Sequence, residues 1–258
     1  MLQSFWTSNY RNLRMSKPVK WEKGISFVLG GCGAGKTNLC VALSDIVTES
    51  WNYQEKQPTD FHYGFLEEEN EICMQYHRRS DGMVDSIELH IPEYHFSYCK
   101  DTFLHKPTDI WHEFCKAAID SAIKVELCKW CRKLEKEISV VVPEKFRNKI
   151  FYNESRIGCV ENAEIKLKNS FNRIIIVDDG EMYGETQLAD FLQMVRNNEA
   201  QAIVVVRRSK WFEQRYATER NYYLVEEGEV KPISDCIGKD IKSVKELKNL
   251  FLKRAFDI

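Results

Sequence analysis

Short apolar runs rich in β-branched residues, bounded by glycine or charge, are the pattern of strands buried on both faces. The chain has three: Ile25–Leu29 (ISFVL), Ile174–Val177 (IIIV) and Ala202–Val206 (AIVVV). Between and after them the apolar spacing turns helical. Leu39, Val41, Ala42 and Ile46 predict a helix directly after Lys36, a second is expected from about Thr186 to Asn197, and a long one from about Asp109 to Glu137. Ser86–Ile91 alternates as a strand that stops at Pro92, and Tyr222–Val225 with Glu229–Pro232 reads as a hairpin across Glu226-Glu227-Gly228. Ser243 and Glu246 form a capping box before Val244, Leu247 and Phe251, which predicts a further amphipathic helix. Residues 50–70 are polar and turn-rich. Strands alternating with helices predict an α/β fold with a parallel sheet flanked by helices.

Composition changes this picture little. The 37 basic and 39 acidic residues nearly cancel, so no overall field draws the chain to nucleic acid or to an anionic membrane. Hydrophobic residues make up 43%, enough for a buried core and too many for a disordered chain. Residues 1–17 lack the apolar run of a signal peptide, no stretch has the length of a transmembrane helix, and the nine cysteines are scattered and odd in number. These features predict a soluble, cytoplasmic protein without a membrane partner.

Candidate chemistry changes it a great deal. Residues 30–37 read Gly30-Gly31-Cys32-Gly33-Ala34-Gly35-Lys36-Thr37, a G-x-x-x-x-G-K-[ST] phosphate loop. The glycines free the backbone so that several N–H groups converge on phosphate oxygens at the positive end of the following helix. Lys36 supplies a point charge for the β- and γ-phosphates, and the Thr37 hydroxyl a magnesium ligand. A strand before the loop and a helix after it are the context this mechanism needs.

Ile174–Val177 ends in Asp178-Asp179, and with the loop it resembles the Walker A and Walker B pair of the P-loop NTPase superfamily. That resemblance implies Asp178 as the magnesium-associated acid and Asp179 as the residue that activates water. Asp179 stands where a Glu is usual in the branch with an additional catalytic strand, which implies slow turnover. It also implies that a polar residue after the third strand senses the γ-phosphate, a place open here to Arg207 or to its neighbour Arg208, which faces the other way. The later half resembles small, poorly characterised bacterial P-loop ATPases of defence systems and mobile elements. No LSGGQ-like stretch marks an ABC-type or SMC-like engine, and the missing NKxD-like motif favours ATP over GTP.

Lys36 and Asp178 lie about 142 positions apart, far beyond the ~30 residues of one βαβ unit. One P-loop domain over 1–258 with a mostly helical insertion at about 52–165 is therefore expected. Within it His112, Cys115, Cys128 and Cys131 have zinc-ligand spacing, but on one helix the pairs would stand about 20 Å apart. After the third strand, Trp211, Phe212, Arg215, Tyr216, Arg220, Tyr222 and Tyr223 interleave basic and aromatic residues, a weak pointer to nucleic acid. The leading expectation is an ATP- and magnesium-binding protein, a slow ATPase whose nucleotide state controls a protein partner or its own oligomerisation. A small-molecule kinase and a nucleic-acid-associated motor are the alternatives.

Overall fold

Four consecutive apolar residues with no polar face force a strand into the middle of a sheet, and β11 (Ile174–Val177) is buried throughout. In this computed structural model it pairs in parallel with β8 (Ile138–Val142) on one side and β12 (Gln201–Val205) on the other. The structure describes residues 1–44, 57–67, 70–80, 84–91, 94–99, 138–142, 157–161, 164–166, 174–206 and 221–237. β12 continues in parallel to β3 (Ile25–Leu29) and then to β13 (Tyr222–Glu226), while β8 continues to β9 (Ile157–Glu161). Antiparallel strands close both edges, β10 (Glu164–Lys166) beside β9 and β14 (Glu229–Pro232) beside β13. The eight-stranded order is β10-β9-β8-β11-β12-β3-β13-β14. The expected parallel sheet and the terminal hairpin are both present.

A second sheet was not expected. β1 (Leu2–Thr7), β2 (Val19–Lys20), β4 (Thr59–Glu67), β5 (Asn70–Arg78), β6 (Val84–Ile91) and β7 (Tyr94–Cys99) form an antiparallel sheet in the order β2-β1-β4-β5-β6-β7. The described residues of the expected helical insertion, at 57–67, 70–80, 84–91, 94–99, 138–142, 157–161 and 164–165, therefore hold strands rather than helices. The physical reason is visible in β4. Phe61, Tyr63 and Phe65 point inward and are at most 1% exposed, while Asp60 and His62 point outward, which is a period of two. The long helical pattern at 109–137, the zinc-spaced residues and the helix expected from Ser243 lie outside the described residues.

Helix α1 (Lys36–Ser44) is sandwiched between the two sheets. Leu39, Cys40, Val41, Ala42 and Leu43 are all at most 1% exposed, so the helix is buried around its whole circumference, as its non-amphipathic sequence demands. It shares one core cluster with Val28, Ile176, Ile203 and Val205 of the mixed sheet and Phe5, Phe61, Tyr63 and Tyr76 of the antiparallel one. The opposite side of the mixed sheet packs Phe27, Val177 and Val204 against Leu188, Phe191, Leu192 and Val195 of α2 (Glu185–Asn197). A short α3 (Ile233–Ile237) follows β14. The buried Gln201 side chain bridges the sheets at one end. It accepts from Leu2 N (2.8 Å) and donates to the carbonyls of Leu2 (2.9 Å) and Glu22 (3.1 Å).

Candidate phosphate-binding site

The loop after β3 delivers its glycines and Lys36 to the C-terminal edge of the parallel strands, where α1 begins. Leu39 N already donates to Gly35 O (2.8 Å), whereas the N–H groups of the first helical turn have no carbonyl before them to bond within the helix. These donors and the helix dipole suit an anion. Two of the four loop glycines, Gly33 and Gly35, use a positive φ. At Gly35 (φ +109°) any other residue would be strained, and its Cβ would lie 2.7 Å from Asn12 Oδ1, which would have to shift.

Lys36 is 8% exposed, and its ammonium donates to Gly30 O and Gly31 O, both at 2.6 Å. A lysine bonded this way is screened from bulk water and held over the loop. Thr37 Oγ1 donates to Asp178 Oδ1 at 3.4 Å, and the same carboxylate oxygen accepts from Asp179 N at 3.0 Å. Asp178 and Asp179 are 6% and 4% exposed at the tip of β11, and Asp179 takes a left-handed backbone (φ 49°, ψ 48°) that opens a single 3-10 turn, Gly180–Tyr183. Asp179 lines the same depression, of about 160 Å³, as Lys36, Thr37, Cys32, Gly33 and Gly35. Behind the acid pair, the buried Tyr183 hydroxyl makes no hydrogen bond, and burial followed by the charges of Asp178 and Asp179 drives its pKa far above the ordinary value.

Thr37, which lines the depression, and Asp178, bonded to it, offer two hard oxygen donors side by side. Magnesium takes one or two carboxylates and leaves its remaining positions to water and phosphate. That pair fits it, and among the described residues no three His, Cys, Asp or Glu side chains gather into an all-protein cage.

The depression has two further walls that the motif does not announce, Asn12 and Asn38. Asn12 Nδ2 donates to Gly33 O (2.8 Å), Asn38 Nδ2 donates to Asn12 Oδ1 (2.6 Å), and Arg11 donates to Asn38 Oδ1 (3.0 Å). Asn38 follows Thr37 directly and was open to inspection in the motif. Asn12 is 21 residues from Gly33 and reaches it only because β1 and β3 lie in facing sheets.

Several solved structures show a weak overall similarity to the chain. An SMC head domain from Thermotoga maritima superposes with a TM-score of 0.44 at 10% identity, over 90% of this chain and 98% of that one. The recombination mediator protein RecF, in structures titled as RecF-ATP and RecF-ATPrS, gives TM-scores of 0.46 and 0.44 at 9% identity, over 90% of this chain and 98% and 97% of those. Likenesses this weak assign no role to this chain. No protein-family model matches the sequence, and no curated protein does. The functional reading therefore rests on this chain's own residues.

Of the predicted site residues, the structure brings Lys36, Thr37, Asp178 and Asp179 together. Arg207 lies outside the described residues, as do Trp211, Phe212, Arg215, Tyr216 and Arg220 of the basic and aromatic run. Its last two members are core residues, 2% exposed, and not a stacking surface. Tyr222 stacks on Phe27 (5.4 Å between rings), and Tyr223 packs on Trp21 (4.5 Å). No helix among the described residues is long and apolar enough to cross a membrane.

Proposed function

We propose that this chain binds ATP with magnesium on the loop from Gly30 to Thr37 and hydrolyses it slowly, its nucleotide state controlling contact with a protein partner or a second copy. The observation that carries this reading is the meeting of Lys36, Thr37 and Asp179 on one depression at the ends of parallel strands, with Asp178 joined to it through the Thr37 hydroxyl. Lys36 exchanges its two loop carbonyls for β- and γ-phosphate oxygens. Thr37 and Asp178 hold the magnesium ion, which supplies charge neutralisation on those oxygens when bound. Asp179 orients the attacking water and accepts its proton. Its side chain is one methylene shorter than Glu and hangs from a left-handed backbone position, which limits its reach and supports slow turnover.

The test is to incubate the purified protein with ATP and magnesium, then measure phosphate release and assembly size. Release without any added acceptor, with a change in assembly or partner binding, is expected. Strict dependence on an added nucleoside or metabolite would replace this reading with a kinase. Stimulation by DNA or RNA that vanishes at high salt would replace it with a nucleic-acid motor. Lys36→Ala should abolish ATP binding with the fold kept, and unchanged ATP affinity in that variant would refute the proposal.

A further inference from the structure

The segment between β1 and β2 is a rigid bracket over the phosphate loop. Tyr10 and Leu13 are plugged into the core at 0% exposure, and Leu13 N donates to Tyr10 O (2.8 Å). Arg14 N donates to Gly228 O in the β13–β14 turn (2.9 Å), and Met15 N to Thr7 O (3.1 Å). Arg11, at the crest, is held at φ +54°, a conformation an arginine adopts only when its surroundings impose it. The bracket thus presents the Asn12 carboxamide at a fixed height, and both ends of that amide are used. Its nitrogen holds the Gly33 carbonyl at the loop crest, and its oxygen accepts from Asn38 on the first turn of α1. Gly35 leaves no room for a Cβ between them.

We propose that Asn12 is the positioning residue that keeps the phosphate loop in its nucleotide-accepting shape, acting through Gly33 and Asn38 and not by a bond to phosphate. The consequence for nucleotide affinity rests on the ATP-binding reading above; the consequence for loop order does not. A loop carrying four glycines in eight residues has much backbone freedom to lose, and whatever ordering is done before the nucleotide arrives does not weaken its binding. The Asn12 carboxamide does that ordering from a segment far away in sequence.

The experiment compares wild type, Asn12→Ala and Asn12→Asp, first by amide hydrogen exchange without nucleotide and then by ATP affinity and turnover. Asn12→Ala removes both bonds. Asn12→Asp keeps an acceptor for Asn38 but loses the donor to Gly33 and adds a negative charge beside the phosphate site. Both variants should exchange faster across residues 31–35 while α2 and β11 exchange as in wild type. ATP affinity should fall about ten-fold for Ala, as expected for the loss of two hydrogen bonds near 1 kcal/mol each with part recovered by water, and further for Asp. The fall in ATP affinity should exceed any fall in turnover at saturating ATP, because a positioning residue acts first on binding. Exchange at 31–35 unchanged in both variants overturns the proposal whether or not the protein binds ATP. Wild type that binds no ATP, with exchange at 31–35 raised in the variants, refutes the proposed function and leaves the Asn12 bracket standing.

Discussion

Asp178 and Asp179 are neighbours to which the proposed function gives different tasks, and the backbone separates them. Asp178 continues the strand and turns its carboxylate to Thr37, while Asp179 turns through a left-handed conformation toward the depression. An aspartate tolerates that conformation better than most residues. Asp179→Asn keeps the shape and the backbone preference and removes the base. Its expected result is ATP affinity within about three-fold of wild type and phosphate release lowered about a hundred-fold or more, the usual range for a lost general base. Undiminished release would take Asp179 out of the mechanism. At this scale the motif was almost fully legible, because its chemistry depends on contiguous residues. Asn12 was not, since nothing in NYRNL marks a residue that will meet a glycine carbonyl 21 positions later.

The β13–β14 hairpin supports the site without lining it. Gly228, at φ +84°, presses on the bracket so closely that a Cβ would come within 2.2 Å of Asn12 O and 3.1 Å of Arg14 N. Both contacts are to backbone, so the turn and not a side chain must yield. Gly228→Ala is therefore expected to cost about 1–3 kcal/mol of stability, read by urea unfolding, through the combined strain and displacement. It should also weaken ATP binding by moving Asn12, although position 228 does not line the depression. Loss of stability with ATP affinity unchanged would show that the turn and the loop are not coupled. The hairpin itself was legible from two apolar runs and an E-E-G turn. The antiparallel sheet was not, since its pairing partners β1 and β4 are separated by the whole phosphate-loop unit and helix α1.

Across the molecule, the two sheets are tied by a few buried polar contacts that cross the layers. Tyr63 of β4 donates to Ala42 O of α1 (2.7 Å), Gln201 of β12 pairs with Leu2, and Tyr223 of β13 donates to Lys20 O (2.9 Å) and accepts from Glu22 N (3.2 Å). Burial, and then the Glu22 charge, push the Tyr223 phenol up to about 12, above its ordinary value of 10.0. A group that holds its proton more tightly when folded contributes stability that is fully present below the unfolded value and is lost as pH climbs through the folded one. The stability difference between wild type and Tyr223→Phe, measured by denaturant unfolding, should therefore be steady up to about pH 10 and shrink toward pH 12. A difference that stays constant over that range would mean the phenol titrates as freely in the folded protein as in the unfolded chain.

The sequence by itself determined the phosphate loop, the acid pair, the three buried strands and the helices around them, because each is written in contiguous residues whose chemistry or periodicity is local. Between the motifs it found the strand at Ser86–Ile91 but not the described strands around it. There the alternation of Phe61, Tyr63 and Phe65 is short and flanked by polar residues, and only the facing layer reveals what buries it. Tertiary structure alone decided that α1 is enclosed between two sheets, that Tyr222 and Tyr223 belong to the core, and that Asn12 reaches the loop. Each of these depends on chain segments brought together across the fold, and no local pattern encodes a contact whose partner lies in another layer.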